Sequence, residues 1–263
     1  MTETAVTTSF IDYQAKPDLL AGRTILVTGA GDGIGKAAAL SFAQHGATVI
    51  LAGRTLAKLE QVYDQVLSLP LLADSSQKCP EPSIYPVDLN GAGEQDYKSL
   101  AEHIDEQFGR LDGLLHNASE LGERTPIANF KLSSWEKVMN TNVTSQFLLT
   151  KALLDVLGKA EDASIVFTTS SVGRKGRAFW GAYAVSKFAT EGLCQVLSDE
   201  LEGMTHIRAN CINPGATRTH MRAKAYPAED PRTIKGPDEI MPTYLYLMGP
   251  DSIEVTGQSI NAQ

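Results

Sequence analysis

A glycine-rich turn near the start of the chain constrains the fold more than any other feature. Residues 24–29 read TILVTG, a short apolar run, and Gly33 and Gly35 follow just before the helical pattern KAAALSFAQHG. In a strand-to-helix turn, Gly29 can turn tightly, Gly33 lets the backbone approach a pyrophosphate, and Gly35 lets the helix pack on the strand. The helix N-terminus then offers free N–H groups to the phosphates. A glycine turn without a ligand is the alternative, but the flanking strand and helix favour phosphate binding.

Short apolar runs alternate with helical patterns along the rest of the chain. Apolar residues at three- and four-residue spacing predict helices over 94–108 and 133–157, the second with Phe147 in its apolar stripe and a cap at Ser133 or Ser134. The runs that predict buried strands are residues 24–29, 47–52, 83–87, 112–116, 163–168 and 206–212. This alternation is typical of right-handed βαβ units. We therefore predict an α/β fold, with one Rossmann-type doubly wound parallel sheet of about seven strands and helices on both faces.

The length and the regular rhythm favour one domain. In a chain of 263 residues, no change in composition marks a boundary. We predict an N-terminal arm over 1–21 and a single dinucleotide-binding and catalytic domain over 22–263. Residues 70–82 (PLLADSSQKCPEP) interrupt the rhythm and predict a surface insertion. The polar stretch 216–237 is long for a plain connection, and such loops often bind substrate.

Charge, cysteine usage and leader segments exclude several classes of function. The chain has 23 basic and 31 acidic residues, a net charge of −8, whereas proteins that grip nucleic acid usually carry the opposite sign. Three cysteines without a C-x-x-C and five scattered histidines predict neither a disulfide framework nor a metal site. The start of the chain does not resemble a signal peptide, and no long apolar run occurs, so we expect a cytoplasmic protein without membrane contact. An anionic ligand would then need one well-placed Arg or Lys.

The end of the second predicted strand supplies such a group. Gly53 and Arg54 stand where dinucleotide folds carry a carboxylate for the ribose of NAD or an arginine for the 2′-phosphate of NADP. A guanidinium binds phosphate through two parallel hydrogen bonds, so Arg54 favours NADP(H). A solvated arginine at a helix start is the alternative. Asp32 in the glycine turn argues against a 2′-phosphate because its carboxylate would repel it.

A second group of residues has the chemistry of acid–base catalysis. Tyr183 and Lys187 are one turn apart in a helical pattern, where an ammonium would favour the phenolate and lower the tyrosine pKa. Such a tyrosine can exchange a proton with a hydroxyl or carbonyl oxygen, although a chance Y-x-x-x-K pair is common. Ser170 follows a buried strand and lies at the ligand-binding edge of the predicted sheet. Asn142 falls within the apolar stripe of helix 133–157, so its amide contacts backbone or water, or joins a proton relay.

Together these motifs resemble the short-chain dehydrogenase/reductase family over roughly residues 22–260. TGxxxGIG, a serine 13 positions before the tyrosine of YxxxK, and the helical asparagine occur in the family's order. The resemblance implies a catalytic tetrad of Asn142, Ser170, Tyr183 and Lys187. In the family, the tyrosine is the acid/base, and the lysine lowers its pKa and holds the nicotinamide ribose. The serine positions the substrate oxygen and the asparagine holds a relay water. The runs around Tyr183 and Pro214 are most similar to YciK-type bacterial oxidoreductases.

Other positions resemble the family's cofactor site. Asp88, next to Leu89, is similar to the acidic residue that contacts the adenine amino group, and the segment 214–219 is similar to the one that wraps the nicotinamide. Residues 116–119 (HNAS) resemble the family's N-N-A-G turn, with His116 and Ser119 as departures. The implied cofactor contacts are Gly29, Asp32, Gly33, Ile34, Gly35, Arg54, Asp88, Leu89, Asn117, Ala118, Tyr183, Lys187, Pro214, Gly215, Thr217 and Thr219.

The sequence thus predicts an oxidoreductase that transfers hydride between a carbonyl or alcohol and NADP(H), with NAD(H) less favoured. Its partner would be a small molecule contacted by residues 120–122, 179–180 and 216–237. A dinucleotide-binding sensor or scaffold is the alternative, while a sugar-nucleotide epimerase or dehydratase would need a larger C-terminal part. The resemblance implies a homodimer first, or a homotetramer, paired through the helices near 133–157 and 183–202.

Overall fold

The computed structural model of the protein describes residues 10–263, so residues 1–9 of the predicted arm lie outside the described part. In that range, seven parallel strands form one sheet in the order β3-β2-β1-β4-β5-β6-β7. The strands are β1 (Thr24–Thr28), β2 (Thr48–Gly53), β3 (Ser83–Pro86), β4 (Gly113–His116), β5 (Ala163–Thr168), β6 (Ile207–Asn213) and β7 (Ser259–Asn261). The predicted doubly wound parallel sheet is confirmed.

Helices cover both faces of this sheet. They are α1 (Gly33–Gln44), α2 (Leu56–Ser68), α3 (Glu94–Phe108), α4 (Leu132–Met139), α5 (Ser145–Leu157), α6 (Gly181–Leu201), α7 (His220–Ala225) and α8 (Met241–Met248). Helices α1, α2 and α8 pack on one face, and α3, α5 and α6 pack on the other. Every residue of β1, β4 and β5 is buried. Burial on both faces explains why these strands are apolar throughout and do not alternate with polar residues.

The helix predicted over 133–157 is interrupted by one wider turn. α4 ends at Met139, Asn140–Thr144 form a π-helical turn, and α5 follows directly. A π turn holds one more residue than an α turn, so the three- and four-residue spacing of the apolar positions shifts by one residue between α4 and α5. The prediction that Phe147 belongs to the buried stripe is therefore wrong, since it is 49% exposed. The predicted serine cap is also wrong, because α4 begins after Lys131, which makes no capping bond.

Three segments outside the sheet have structure of their own. Residues 10–21 lie against α8, where Phe10 stacks on Tyr246 with ring centroids 3.7 Å apart. The stretch 70–82 is a loop between α2 and β3, and a β-bridge between Pro70 and Lys78 joins its two arms. The stretch 216–237 contains α7 and the short 3₁₀ turn Pro231–Thr233, and a second 3₁₀ turn begins at its end with Pro237.

The strand order places a crevice at the middle of the sheet. β1 pairs with β2 on one side and with β4 on the other. After β1 the chain forms β2 and then β3 on one side of β1. It then forms β4 and the later strands on the other side of β1. At such a reversal the loops that leave the two neighbouring strands diverge, and ligands bind between them at the carboxyl ends of the strands.

Candidate active site

A cleft of about 620 Å³ opens at this reversal and runs along the carboxyl edge of the sheet. It begins beside the loops after β2 and β3, crosses the glycine turn after β1, and ends beside the segments after β5 and β6. All of the sequence-predicted site residues line it except Gly35 and Asn142. Residues that lie far apart in the sequence are thus brought together in one continuous cleft.

The glycine turn leaves no room for larger side chains. Gly29 has a φ of 69°, in the left-handed region, and a Cβ there would lie 3.0 Å from Ala118 Cα. A Cβ on Gly35 would lie 2.3 Å from the Gly29 carbonyl oxygen, so this glycine lets α1 pack against the end of β1. The first N–H groups of a helix have no intrahelical partner, which leaves that of Ile34, in the cleft wall, able to bind an anion. The turn therefore fits a pyrophosphate.

Asp32 connects the glycine turn to two other elements. Its carboxylate caps α1 by accepting a hydrogen bond from the Gly33 N–H at 2.8 Å. It also accepts one from Lys58 Nζ of α2 at 2.6 Å and lies 3.1 Å from Nδ1 of His220 on α7. Burial acts to raise the pKa of Asp32, but the bonds from Lys58 and Gly33 outweigh it, so the pKa lies below its ordinary value. Asp32 is therefore an anion surrounded by donors.

Two cationic side chains line the end of the cleft beside β2 and β3. Arg54 is exposed and makes no hydrogen bond or ion pair with the described residues. Lys58 lies four residues further along, in the first turn of α2, and no sequence motif singles it out. Asp88 is exposed on the loop after β3, as an adenine contact requires. This end of the cleft offers positive charge for a phosphate and a carboxylate for an amino group.

The loop after β4 is held by Thr28, which no sequence motif singles out. Thr28 Oγ1 accepts hydrogen bonds from the backbone N–H groups of Asn117 at 3.0 Å and Ala118 at 3.1 Å. His116 is buried and shares a 2.8 Å hydrogen bond with Thr150 Oγ1. Burial, followed by the charge of the nearby Lys187, lowers the pKa of His116 to about 3, so the ring is neutral. The unusual histidine thus acts as an uncharged packing group.

Ser170, Tyr183 and Lys187 meet at the other end of the cleft. Ser170 lies just beyond β5, and the other two occupy the first two turns of α6. Burial raises the pKa of Tyr183 to about 12, and the nearby Ser170 side chain offsets part of that rise. We expected the lysine to lower this pKa, but the direction is the opposite because desolvation of the phenolate dominates. The phenol therefore holds its proton in the cleft.

Lys187 is the most deeply buried cation of the cleft. Its side chain is 1% exposed, and Nζ donates a 2.8 Å hydrogen bond to the Thr168 carbonyl oxygen, 5.5 Å from the centre of the Tyr183 ring. Burial lowers the pKa of Lys187 to about 8, and Cys211 offsets part of this shift. A Cβ at Gly173 would lie 2.8 Å from Lys187 Cβ, so a glycine is needed for α6 to approach the 3₁₀ turn Ser171–Gly173 this closely.

Asn142 lies in the π turn behind the cleft. Its Oδ1 accepts a 2.7 Å hydrogen bond from the Glu120 N–H, while Nδ2 donates to the Glu120 carbonyl and to Ser186 Oγ, each at 2.9 Å. The amide is thus fully engaged by backbone and by α6, which is the simpler of the two alternatives for a buried asparagine. It fixes the loop that carries Glu120 to the helix that carries Tyr183.

Aromatic and apolar groups form the wall next to Tyr183. Leu121, Trp180 and Ala225 are buried there, and Met221 packs against them. Of the predicted substrate contacts, Gly122 and Phe179 do not line the cleft, while Glu120, Leu121, Trp180 and seven residues of 216–237 do: Thr217, Thr219, His220, Met221, Arg222, Lys224 and Ala225. α7 therefore forms the outer wall of the cleft.

The segment after β6 is held in place by Gln263, which no sequence motif indicates. Gln263 Nε2 donates hydrogen bonds to the Pro214 carbonyl at 2.6 Å and to the Ala216 carbonyl at 3.1 Å. Thr219 Oγ1 caps α7 by accepting from the Arg222 N–H at 3.1 Å. No local pattern in the sequence could have indicated the Gln263 contact, because it joins segments from β6 and β7.

Two further features bear on the class of site. In residues 10–263, no three or more His, Cys, Asp or Glu side chains are grouped so as to hold a metal ion. Among the helices of the described range, none combines the length and apolarity needed to cross a membrane.

Known proteins are similar to this chain in both sequence and architecture. The family profile described as short chain dehydrogenase matches residues 23–230. The uncharacterized oxidoreductase YciK of Escherichia coli K12 is 50% identical over 251 residues, which cover 95% of this chain and 96% of that protein. A short chain dehydrogenase structure from Pseudomonas syringae is 58% identical, with a TM-score of 0.91, over 96% of this chain and 99% of that one. One from Shigella flexneri 2a, solved in complex with NADP, is 50% identical, with a TM-score of 0.87, over 94% of this chain and 100% of that one. The chain therefore belongs to the short-chain dehydrogenase/reductase family of oxidoreductases.

Proposed function

We propose that this protein is an NADP(H)-dependent oxidoreductase that interconverts a carbonyl and an alcohol, with Tyr183 as the acid/base. The observation that carries the proposal is that Ser170, Tyr183 and Lys187 line the same cleft as the glycine turn. A bound nicotinamide dinucleotide would supply or accept the hydride. The NADP complex of the Shigella relative supports this choice of cofactor.

The side chains at the reactive end have separate tasks. In reduction, Ser170 donates a hydrogen bond to the substrate oxygen, and Tyr183 gives its phenolic proton to that oxygen as negative charge develops. Lys187 supplies a buried positive charge that stabilises the phenolate formed at that moment. Asn142 is a positioning residue that holds the Glu120 loop against α6.

The other end of the cleft fits the adenosine part of NADP. The Gly29 and Gly35 positions leave space only for backbone, and Arg54 is an exposed cation without a partner in the described residues. Gly53 brings no carboxylate to the ribose, so the site lacks the group that favours NAD. These features support a preference for NADP(H) over NAD(H).

Replacing Arg54 by Ala is expected to weaken NADPH binding about 10- to 100-fold and to change NADH binding about twofold or less. The loss corresponds to one charge-assisted phosphate contact, which NADH cannot make. Titration calorimetry with each nucleotide measures both dissociation constants. Equal losses for the two nucleotides would contradict the role of Arg54.

The substrate is proposed to be a small carbonyl or alcohol with an apolar or aromatic body. Support comes from the wall formed by Leu121, Trp180 and Met221 beside the Tyr183 hydroxyl. A panel of ketones and aldehydes, followed by oxidation of NADPH with NADH in parallel, tests the reaction class. Tight NADPH binding without turnover on any compound would favour the sensor alternative.

We further propose a cytoplasmic homodimer. The unpaired, buried cysteines Cys79, Cys194 and Cys211 fit a reducing compartment.

For the dimer, α6 presents Val185, Phe188 and Val196 outward, with exposures of 42%, 46% and 56%. These residues recur at helical spacing, and α5 on the same sheet face exposes Phe147, so a second copy would cover one apolar surface.

Replacing Phe188 by Glu is expected to halve the molar mass in solution. A buried carboxylate at the centre of the α6 face would not be tolerated in a dimer. Light scattering coupled to gel filtration measures the mass. Met204→Glu is the control, because Met204 is 81% exposed beyond the end of α6 and should leave the mass unchanged. A dimer that survives Phe188→Glu, or a monomeric wild type, would contradict this interface.

A further inference from the structure

We propose that Lys58 is a second ligand for the 2′-phosphate of the dinucleotide, beside Arg54. The inference rests on the proposed preference for NADP(H) and adds a specificity-determining residue that sequence motifs do not reveal. It follows from where the Lys58 ammonium lies, from what holds it there, and from the charge that a 2′-phosphate brings.

Lys58 faces the cleft from the first turn of α2. It lines the same end as Arg54 and Asp88, between the glycine turn and the loops after β2 and β3. Its stem is pressed against the turn, since a Cβ on Gly31 would lie 2.9 Å from Lys58 Cβ. The ammonium is then fixed by the 2.6 Å contact with Asp32. A side chain that could extend into solvent is therefore held beside the glycine turn, in the wall of the cleft.

The charge at this end calls for more than one cation. A phosphate monoester carries about −1.5 to −2 at neutral pH. Arg54 alone contributes one positive charge, and α2 carries no acidic residue in its first turn. An ammonium has three N–H donors, so Lys58 can keep its bond to Asp32 and still donate two to phosphate oxygens. Its side chain is about half exposed, at 49%, so an incoming ligand can reach it.

This arrangement also explains why the Asp32 carboxylate is compatible with a binding site for an anion. From the sequence, a carboxylate in the glycine turn argues against a 2′-phosphate. In the structure the same carboxylate holds a cation that arrives from a different element, and its pKa is kept low by that bond and by the Gly33 N–H. Asp32 thereby acts as a positioning residue for Lys58.

The test measures binding of fragments that differ only in the phosphate. Adenosine 2′,5′-bisphosphate and adenosine 5′-monophosphate are titrated calorimetrically into the wild type, Lys58→Met, Lys58→Arg and Lys151→Met. Lys151 is the matched control, since it pairs with Glu94 at 2.7 Å, is 58% exposed and lies outside the cleft. We expect Lys58→Met to weaken the bisphosphate about tenfold, a typical loss for one charge-assisted contact. The monophosphate should change about twofold or less, Lys58→Arg should restore most of the loss, and Lys151→Met should bind like the wild type.

Other outcomes separate this inference from the proposed function. Equal weakening of both fragments by Lys58→Met, or no weakening of either, would overturn the role of Lys58. If the wild type binds both fragments equally, the preference for NADP(H) itself is wrong. If Arg54→Ala weakens the bisphosphate while Lys58→Met does not, the proposed preference stands and the inference about Lys58 fails.

Discussion

Replacing Tyr183 by Phe is expected to reduce the rate of carbonyl reduction about 1,000-fold and to weaken NADPH binding far less, because Tyr183 is only one of many implied cofactor contacts. The substitution removes one hydroxyl, and general acid catalysis typically contributes 100- to 10,000-fold. Neither neighbour can take over the proton transfer. The His116 ring is buried and bonded to Thr150, and the Lys187 ammonium is bonded to the Thr168 carbonyl. The measurement is kcat on a substrate identified with the wild type, together with the dissociation constant for NADPH.

A second tyrosine provides the control for this experiment. Tyr97 on α3 is 1% exposed, and its hydroxyl lies outside the cleft. Tyr97→Phe removes a buried hydroxyl of the same kind and should keep kcat within about twofold of the wild type. If Tyr183→Phe retains wild-type turnover, Tyr183 is not the acid/base, whatever its position in the cleft.

Replacing Lys187 by Met is expected to abolish turnover and at the same time to stabilise the fold by about 2 kcal/mol at pH 7. A fall in the lysine pKa from 10.5 to about 8 means that burial of the charge costs about 3 kcal/mol. The variant also loses the hydrogen bond to the Thr168 carbonyl, which lowers its gain in stability by about 1 kcal/mol. A residue kept at such a cost to stability is typical of functional sites.

The pH dependence of this stability difference checks its origin. Below pH 8, Lys187 is charged in both the folded and the unfolded state, so the full penalty is present. As pH rises from about 8 towards 10.5, the folded protein loses the proton before the unfolded chain does, and the penalty disappears. Urea unfolding of both proteins at pH 7 and pH 10 should show the advantage of Lys187→Met shrinking. An advantage that is constant with pH, or a variant less stable than the wild type at pH 7, would contradict this account.

Much of the fold and of the site could be predicted because the deciding information is local. Gly29, Gly33 and Gly35 lie within seven residues, and their demands on the backbone are set by the turn itself. The spacing between Tyr183 and Lys187 puts both on one helix face, and strands buried on both sides are apolar throughout. Patterns of this kind do not depend on how distant segments of the chain fold.

The remaining features depend on contacts between distant segments. The bonds from Lys58 and His220 to Asp32, and from Gln263 to the Pro214 carbonyl, join elements that only the folded sheet brings together. The direction of the Tyr183 pKa shift depends on such contacts too. The sequence shows a neighbouring lysine, but desolvation depends on everything packed around the phenol.

The π turn at Asn140–Thr144 has a consequence for how length variation can be accommodated in this part of the chain. Each residue of an α-helix advances the chain by about 100° around the axis. Deleting one residue within α5 would rotate the rest of that helix by this amount and carry Leu153 out of the core, where it is buried now. The wider turn can instead lose one residue and close as an ordinary α turn, with α5 left unrotated. Loss of Asn142 itself would still release the loop that it holds at Glu120. The π turn should therefore tolerate the loss of one of its other residues better than α4 or α5 does.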